Sequence, residues 1–70
     1  MDNLRSAVLS ILEGDFEWNG VDTSLILPVT KLDLSCILSV NYYDVEKVVN
    51  DLIFESVVFK VNNKIYLKLS

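Results

Sequence analysis

The apolar residues of this chain change their spacing once, and that change sets the fold class. Leu4, Val8, Ile11 and Leu12, then Leu34, Ile37 and Leu38, then Val45, Val48, Val49 and Leu52 recur in steps of three and four, which lines one face of a helix. After Ser56 they alternate as Val57, Phe59 and Val61, then Ile65, Leu67 and Leu69. That is the period of strands with one buried face. Helical spacing first and strand spacing last predict an α+β domain, with three helices and a small antiparallel sheet.

Size and composition bound what that domain can do. Seventy residues make a single domain, predicted over residues 1–70, and a chain this short buries only about 60% of its unfolded surface. A 51% hydrophobic share separates it from disordered tails. Histidine is absent and Cys36 is the one cysteine, so an internal disulfide is excluded and a structural zinc site is not expected. That cysteine usage fits a reducing compartment. Pro28, Lys31 and Asp33 interrupt the longest apolar tract, leaving nothing near the ~20 residues that span a bilayer. Met1-Asp2-Asn3 lacks the basic start of a secretory signal. The expectation is a protein inside the cell, cytoplasmic or nuclear, with no membrane contact.

The elements follow from their caps. Asp2 or Asn3 caps a first helix that Gly14 ends. Residues 15–22 read as an acidic loop holding Phe16 and Trp18. Leu25-Ile26-Leu27, bounded by Pro28, reads as a short strand that could pair with the final hairpin into a three-stranded sheet. Thr30-Lys31-Leu32-Asp33 is a capping box opening helix 2, which stops near Ser39; Asn41 caps helix 3. The hairpin has two registers. A three-residue loop Asn62–Lys64 pairs Val61 with Ile65, Phe59 with Leu67 and Val57 with Leu69, collecting one apolar face. A two-residue turn Asn62-Asn63 pairs Phe59 with Tyr66 and Val58 with Leu67, dividing the apolar residues. Because register follows the buried face, the longer loop is expected.

From Val29 onward the chain holds an apolar residue, a capped helix, a tight turn, a second helix ending in Leu, and a hairpin. The residues in those places are Val29, Thr30, Leu34, Leu38, Ser39-Val40-Asn41, Val45, Val49, Leu52, Ser56 and Val58. In this it resembles the winged-helix superfamily. The resemblance implies the order helix-strand-helix-helix-strand-strand, with helix 3 reading DNA in the members that bind DNA and the hairpin as the wing. It also covers members that bind protein. Among those, Glu55-Ser56-Val57-Val58-Phe59 and Ile65-Tyr66-Leu67 look similar to the C-terminal domain of the replication protein A middle subunit. The C-terminal winged helix of the cullin-like subunit of the anaphase-promoting complex is a second likeness. One departure is Ser56, where many members have glycine; the backbone there either avoids positive φ or is mildly strained.

Charge weighs against DNA. The whole chain has a net charge of −4, and from Asp44 to Glu55 four acids (Asp44, Glu46, Asp51, Glu55) face one base (Lys47), net −3. A helix in the major groove lies between rows of phosphates that must be neutralised. Asn50 has the chemistry to read adenine and Lys47 guanine; both also suit a plain solvated surface. The wing, with Lys60, Asn62, Asn63, Lys64 and Lys68, carries three lysines and no acid. Those lysines either blunt an exposed sheet edge or touch phosphate or an acidic surface.

The apolar surplus points to a protein partner. Ile53 and Phe54 fall where a solvent face is expected, Leu32, Tyr42 and Tyr43 lie off the core stripes, and Phe16 and Trp18 sit in a loop. Taken together they predict a contiguous exposed patch, of the kind that marks a partner surface. No carboxylate pair, nucleophile motif or phosphate loop has the spacing catalysis needs, and Cys36 is expected to pack inside helix 2. The chain therefore reads as a non-catalytic interaction module without a cofactor. It would bind a protein partner or itself through Tyr42, Tyr43, Glu46, Lys47, Asn50, Ile53 and Phe54. The alternative is a DNA-binding transcription or replication factor using helix 3 and the wing lysines.

Overall fold

The structure is a computed structural model and describes residues 3–68. Helix α1 spans Asn3–Leu12. A small hairpin follows, β1 (Glu17–Trp18) and β2 (Val21–Asp22), then one turn of 3-10 helix at Thr23–Leu25. Helices α2 (Lys31–Leu38) and α3 (Tyr42–Phe54) lead into a second hairpin, β3 (Val58–Val61) and β4 (Lys64–Leu67). The domain is α+β, with three α-helices and antiparallel two-stranded sheets. Asp2, as the alternative cap of α1, and Leu69, as the expected partner of Val57, lie outside the described residues.

The starts of α2 and α3 are those their caps predict, whereas Asn3, expected as a cap, is itself the first residue of α1. Thr30 Oγ1 accepts from the Asp33 amide at 3.1 Å, and the Thr30 amide donates back to Asp33 Oδ2 at 3.0 Å, closing the capping box of α2. Asn41 Oδ1 accepts from the Tyr43 amide at 2.8 Å at the head of α3. The helix ends share one device. Gly14, Ser39 and Ser56 each have a positive φ. In each case that residue's amide returns to the carbonyl three back, and the next amide to the carbonyl five back (Asp15 to Ser10, Val40 to Ser35, Val57 to Leu52). This is the Schellman ending, which absorbs carbonyls the helix leaves unpaired.

The core lies where the three helices meet the inner face of the second hairpin. Val8, Ile11 and Leu12 of α1, Leu34 and Ile37 of α2, and Val45, Val49 and Leu52 of α3 close on Val29, Val58 and Ile65. Leu4, Leu38 and Val48, expected on the same stripes, are half-buried at its margin.

Two expectations about strands are corrected. Leu25–Leu27 is not a strand: Asp22 accepts from the Ser24 amide at 2.9 Å and starts a 3-10 turn, leaving Leu25 78% exposed. The buried Thr23 hydroxyl fastens that turn to the Ile11 carbonyl at 3.3 Å. In place of a third strand there is an isolated bridge, in which the Ile65 amide donates to the Val29 carbonyl at 2.7 Å. The hairpin register is also the other one. Val58 pairs with Leu67, Phe59 with Tyr66, Lys60 with Ile65 and Val61 with Lys64, around Asn62 and Asn63 at φ 50 and 70. A two-residue turn with both centres left-handed matches the strand twist, and asparagine tolerates it. The inner face then carries Val58, Ile65 and Leu67. The outer face stacks Phe59 on Tyr66, with ring centroids 5.3 Å apart and planes 11° from parallel, so the divided apolar residues still gain a cross-strand contact.

Candidate interaction surface

Helix α3 is positioned by its core stripe, and whatever lies opposite that stripe faces outward. At about 100° per residue, Tyr43, Lys47, Asn50 and Phe54 form a second stripe on the far side of Val45, Val49 and Leu52. All four are exposed; Tyr43 reaches 75% and Phe54 90%. Tyr42 and Glu46 lie at the edge of this face, where Tyr42 meets Tyr43 edge-on at 6.2 Å between centroids.

That edge borders an open cleft of about 420 Å³, lined by Thr30, Lys31 and Leu32 of the α2 head, Tyr42 and Glu46 of α3, and Lys60 and Asn63 of the hairpin. Lys31 Nζ stands 3.5 Å from Glu46 Oε2 and spans the gap between the two helices. The structure therefore brings two residues predicted on helix 3 together with two predicted on the hairpin. Leu32, 61% exposed, adds an apolar wall.

Other predicted members separate. Ile53 is half-buried and packs against the core, because it points back toward the cleft side of α3 rather than along the outward stripe. Phe16 and Trp18 also pack against the core instead of extending the patch. The reason is the β1–β2 hairpin, in which Trp18 pairs with Val21 around Asn19 and Gly20 at φ 52 and 78. Asn-Gly between short apolar runs is a strong hairpin signal, so the loop assigned to residues 15–22 was legible as a turn. The lysines do not form one face. Lys60 is in register with Ile65 toward the inner side and Lys64 with Val61 toward the outer side. Lys68 follows β4, where its amide donates to the Val57 carbonyl at 2.9 Å. Asn62 and Asn63 form the exposed tip. Cys36 is exposed rather than packed; it borders a shallow pocket with Trp18, Ile26, Val29, Asp33 and Ile37.

The acidity of α3 is partly spent inside the chain. Arg5 of α1 grips Glu55 with both guanidinium nitrogens, Nη1 to Oε2 at 3.1 Å and Nη2 to Oε1 at 2.5 Å. Those hydrogen bonds hold the Glu55 carboxyl below its ordinary range. Asp22 is held low as well, first by the Ser24 amide it caps. With Glu46 on Lys31 and Glu55 on Arg5, the charges left facing outward on α3 are Asp44, Asp51 and Lys47. The outward face is thus less anionic than the sequence predicts, and its character is set by two aromatic rings.

Among the described residues no buried side-chain polar atom lacks a hydrogen-bond partner. No group of three or more His, Cys, Asp or Glu among them is placed to hold a metal ion, and no helix among them is long and apolar enough to cross a membrane. No family model matches the chain, and comparisons with curated proteins and with solved structures return no match.

Proposed function

We propose that this chain is a winged-helix interaction module that works without catalysis or a cofactor, docking on another protein through the outward face of α3. Support for the fold comes from the capped α2, the short Ser39–Asn41 link to α3, and the hairpin that follows with its bridge to Val29. The observation that carries the function is the exposure of Tyr43 and Phe54 at opposite ends of one helix face. Rings of this size cost free energy in water and dominate interfaces when covered. Lys47 and Asn50 between them supply polar contacts. The lone cysteine, which leaves no internal disulfide, fits a site of action inside the cell.

A second reading, DNA binding through α3 and the hairpin lysines, is favoured by one observation: Lys60 and Asn63 stand beside the head of α3, across the cleft from Tyr42. It would have to seat Phe54 and two free acids in or beside a groove lined by phosphates, which works against it. Even three lysine contacts would give a salt slope of only about −3.

Two measurements separate the readings. In a fluorescence titration with duplex DNA across salt, protein docking predicts no binding tighter than micromolar at physiological salt; tighter binding would overturn it. In parallel, a Tyr43→Ala/Phe54→Ser variant should lose the partners that wild type captures. Equal recovery by both would place the docking surface elsewhere.

A further inference from the structure

The open cleft between the heads of α2 and α3 and the hairpin tip has a charge balance opposite to that of the chain. Lys31 and Lys60 border it against one acid, Glu46, in a chain whose net charge is −4. By contrast, the cleft between the end of α1 and the first hairpin is lined by Asp15, Glu17 and Asp22. We propose that the lysine-bordered cleft takes an acidic peptide. An extended segment of another protein would set a side-chain carboxylate between Lys31 and Lys60 and lay an apolar neighbour on Leu32 and Tyr42. The site is distinct from the outward stripe of α3, so the proposal does not rest on the docking reading above.

Lys31 is the under-satisfied group. Its side chain is only 12% exposed, and among the described residues its one acceptor is Glu46 Oε2 at 3.5 Å. That distance is the outer limit of a hydrogen bond, whereas an ammonium has three donors. A cation so far out of water and so weakly answered favours a second anion. The backbone adds donors at the same place. Thr30 accepts from the Asp33 and Leu34 amides, which leaves the Lys31 and Leu32 amides with no acceptor among the described residues. Both sit at the positive end of α2. Asp33, the acid of that turn, accepts from the Thr30 amide and borders a different pocket, beside Cys36. Across the cleft Lys60 is exposed and, among the described residues, in no ion pair; the Asn63 side-chain amide stands next to it on the rim. Leu32, 61% exposed, and Tyr42, 39%, form the apolar wall. About 420 Å³ holds more than a lone carboxylate, so an apolar neighbour fits beside it. Duplex DNA would bring many phosphates against a net acidic chain. A peptide need bring only the one or two carboxylates that the lysines answer.

The test is an NMR titration of the isotope-labelled full chain with three probes. These are a short end-capped peptide alternating glutamate and leucine, the same peptide with glutamine for glutamate, and a short DNA duplex. The glutamate peptide is expected to shift the Lys31, Leu32, Lys60 and Asn63 amides with a millimolar or tighter Kd, and the glutamine peptide to bind at least about tenfold more weakly. Lys60→Glu, at an exposed position, should weaken the glutamate peptide by at least about tenfold. Glu46→Gln removes the carboxylate that competes for Lys31 and should tighten binding about two- to fivefold, a gain that a misfolded variant would not give. The proposal is overturned if millimolar glutamate peptide leaves those amides unmoved, if the glutamine peptide binds equally well, or if Lys60→Glu changes nothing. DNA that shifts the same amides more tightly than the peptide at physiological salt overturns it too, and assigns the cleft to phosphate. The docking reading fails separately, through partner capture insensitive to Tyr43→Ala/Phe54→Ser, since neither residue lines the cleft.

Discussion

Ser56 ends α3 in a conformation that favours glycine, so Ser56→Gly should stabilise the protein. Its φ of 63° is in the left-handed region, which costs an L-residue roughly 1–2 kcal/mol. Glycine escapes that cost but is more disordered in the unfolded chain, by roughly 0.4–1 kcal/mol. Its side chain is exposed, so removing it forfeits little packing. The two backbone bonds of the ending, Ser56 to Ile53 at 3.0 Å and Val57 to Leu52 at 2.9 Å, involve no side chain. The net gain is about 0.5–1 kcal/mol, which in a domain of this size raises the melting midpoint by about 2–8 °C.

The assay is thermal and urea unfolding followed by circular dichroism, with the urea slope unchanged if only stability moves. Ser39, exposed with φ 54° at the end of α2, provides a repeat of the experiment, and Ser39→Gly should shift the midpoint the same way. Gly14 provides the opposite sign. Its φ is 75°, and a Cβ there would sit 2.8 Å from Ser24 Cβ and 3.2 Å from Ser24 Cα. Gly14→Ala therefore meets both backbone strain and the 3-10 turn, and should cost at least about 1–2 kcal/mol. If Ser56→Gly lowers the midpoint or leaves it where it was, the left-handed residue is not a burden on the fold and the reasoning fails.

Asn63→Gly converts the hairpin tip to the preferred Asn-Gly pair with φ positive at both centres, and should raise stability by a few tenths of a kcal/mol; a loss in the same melts would contradict the two-residue turn. Leu34→Ala opens a cavity at a fully buried site and should cost about 2–5 kcal/mol, read as a fall in the urea midpoint. Glu55 has a lowered carboxyl in the folded chain because Arg5 holds it. Its contribution is therefore present above the ordinary carboxylate value and lost as pH falls through the folded one. Arg5→Gln should return the Glu55 titration, followed by carboxyl NMR, toward its ordinary value and flatten the acid limb of stability. Tyr43→Ala should change stability by less than about 0.5 kcal/mol in urea unfolding, because the ring lies on the outward face.

The parts of the fold written in local chemistry were legible. Thr30 and Asp33 satisfy each other within one turn, and Asn41 reaches an amide two residues on, so both helix starts could be placed from the residues alone. The buried stripe of α3 followed from spacing in the same way. The hairpin register did not, because two preferences competed: gathering the apolar residues on one face, and the left-handed Asn62-Asn63 turn that suits strand twist. The turn prevailed because the core already had Val29, Val58 and Ile65 to close it. The short strand expected at Leu25–Leu27 failed for a related reason. Composition there favours a strand, but Asp22 caps a turn just ahead and Thr23 anchors that turn to α1.

Charge counted along the sequence misses partners that the fold brings in from elsewhere. Glu46 is answered by Lys31 and Glu55 by Arg5, partners from two other helices that no spacing rule within α3 would find. The expected exposure holds at Tyr42, Tyr43 and Phe54, but Lys47 and Asn50 separate the last two rings, so the patch is not contiguous. Phe16, Trp18 and Ile53 turned inward because a small domain recruits apolar side chains wherever the backbone lets them reach the core. Tyr43 and Phe54 had no such route: the stripe of Val45, Val49 and Leu52 already commits the other side of α3 to the core. A helix rich in valine depends on that packing for its stability, so it cannot rotate to bury the two rings without exposing its core stripe. Among the described residues they therefore stay exposed.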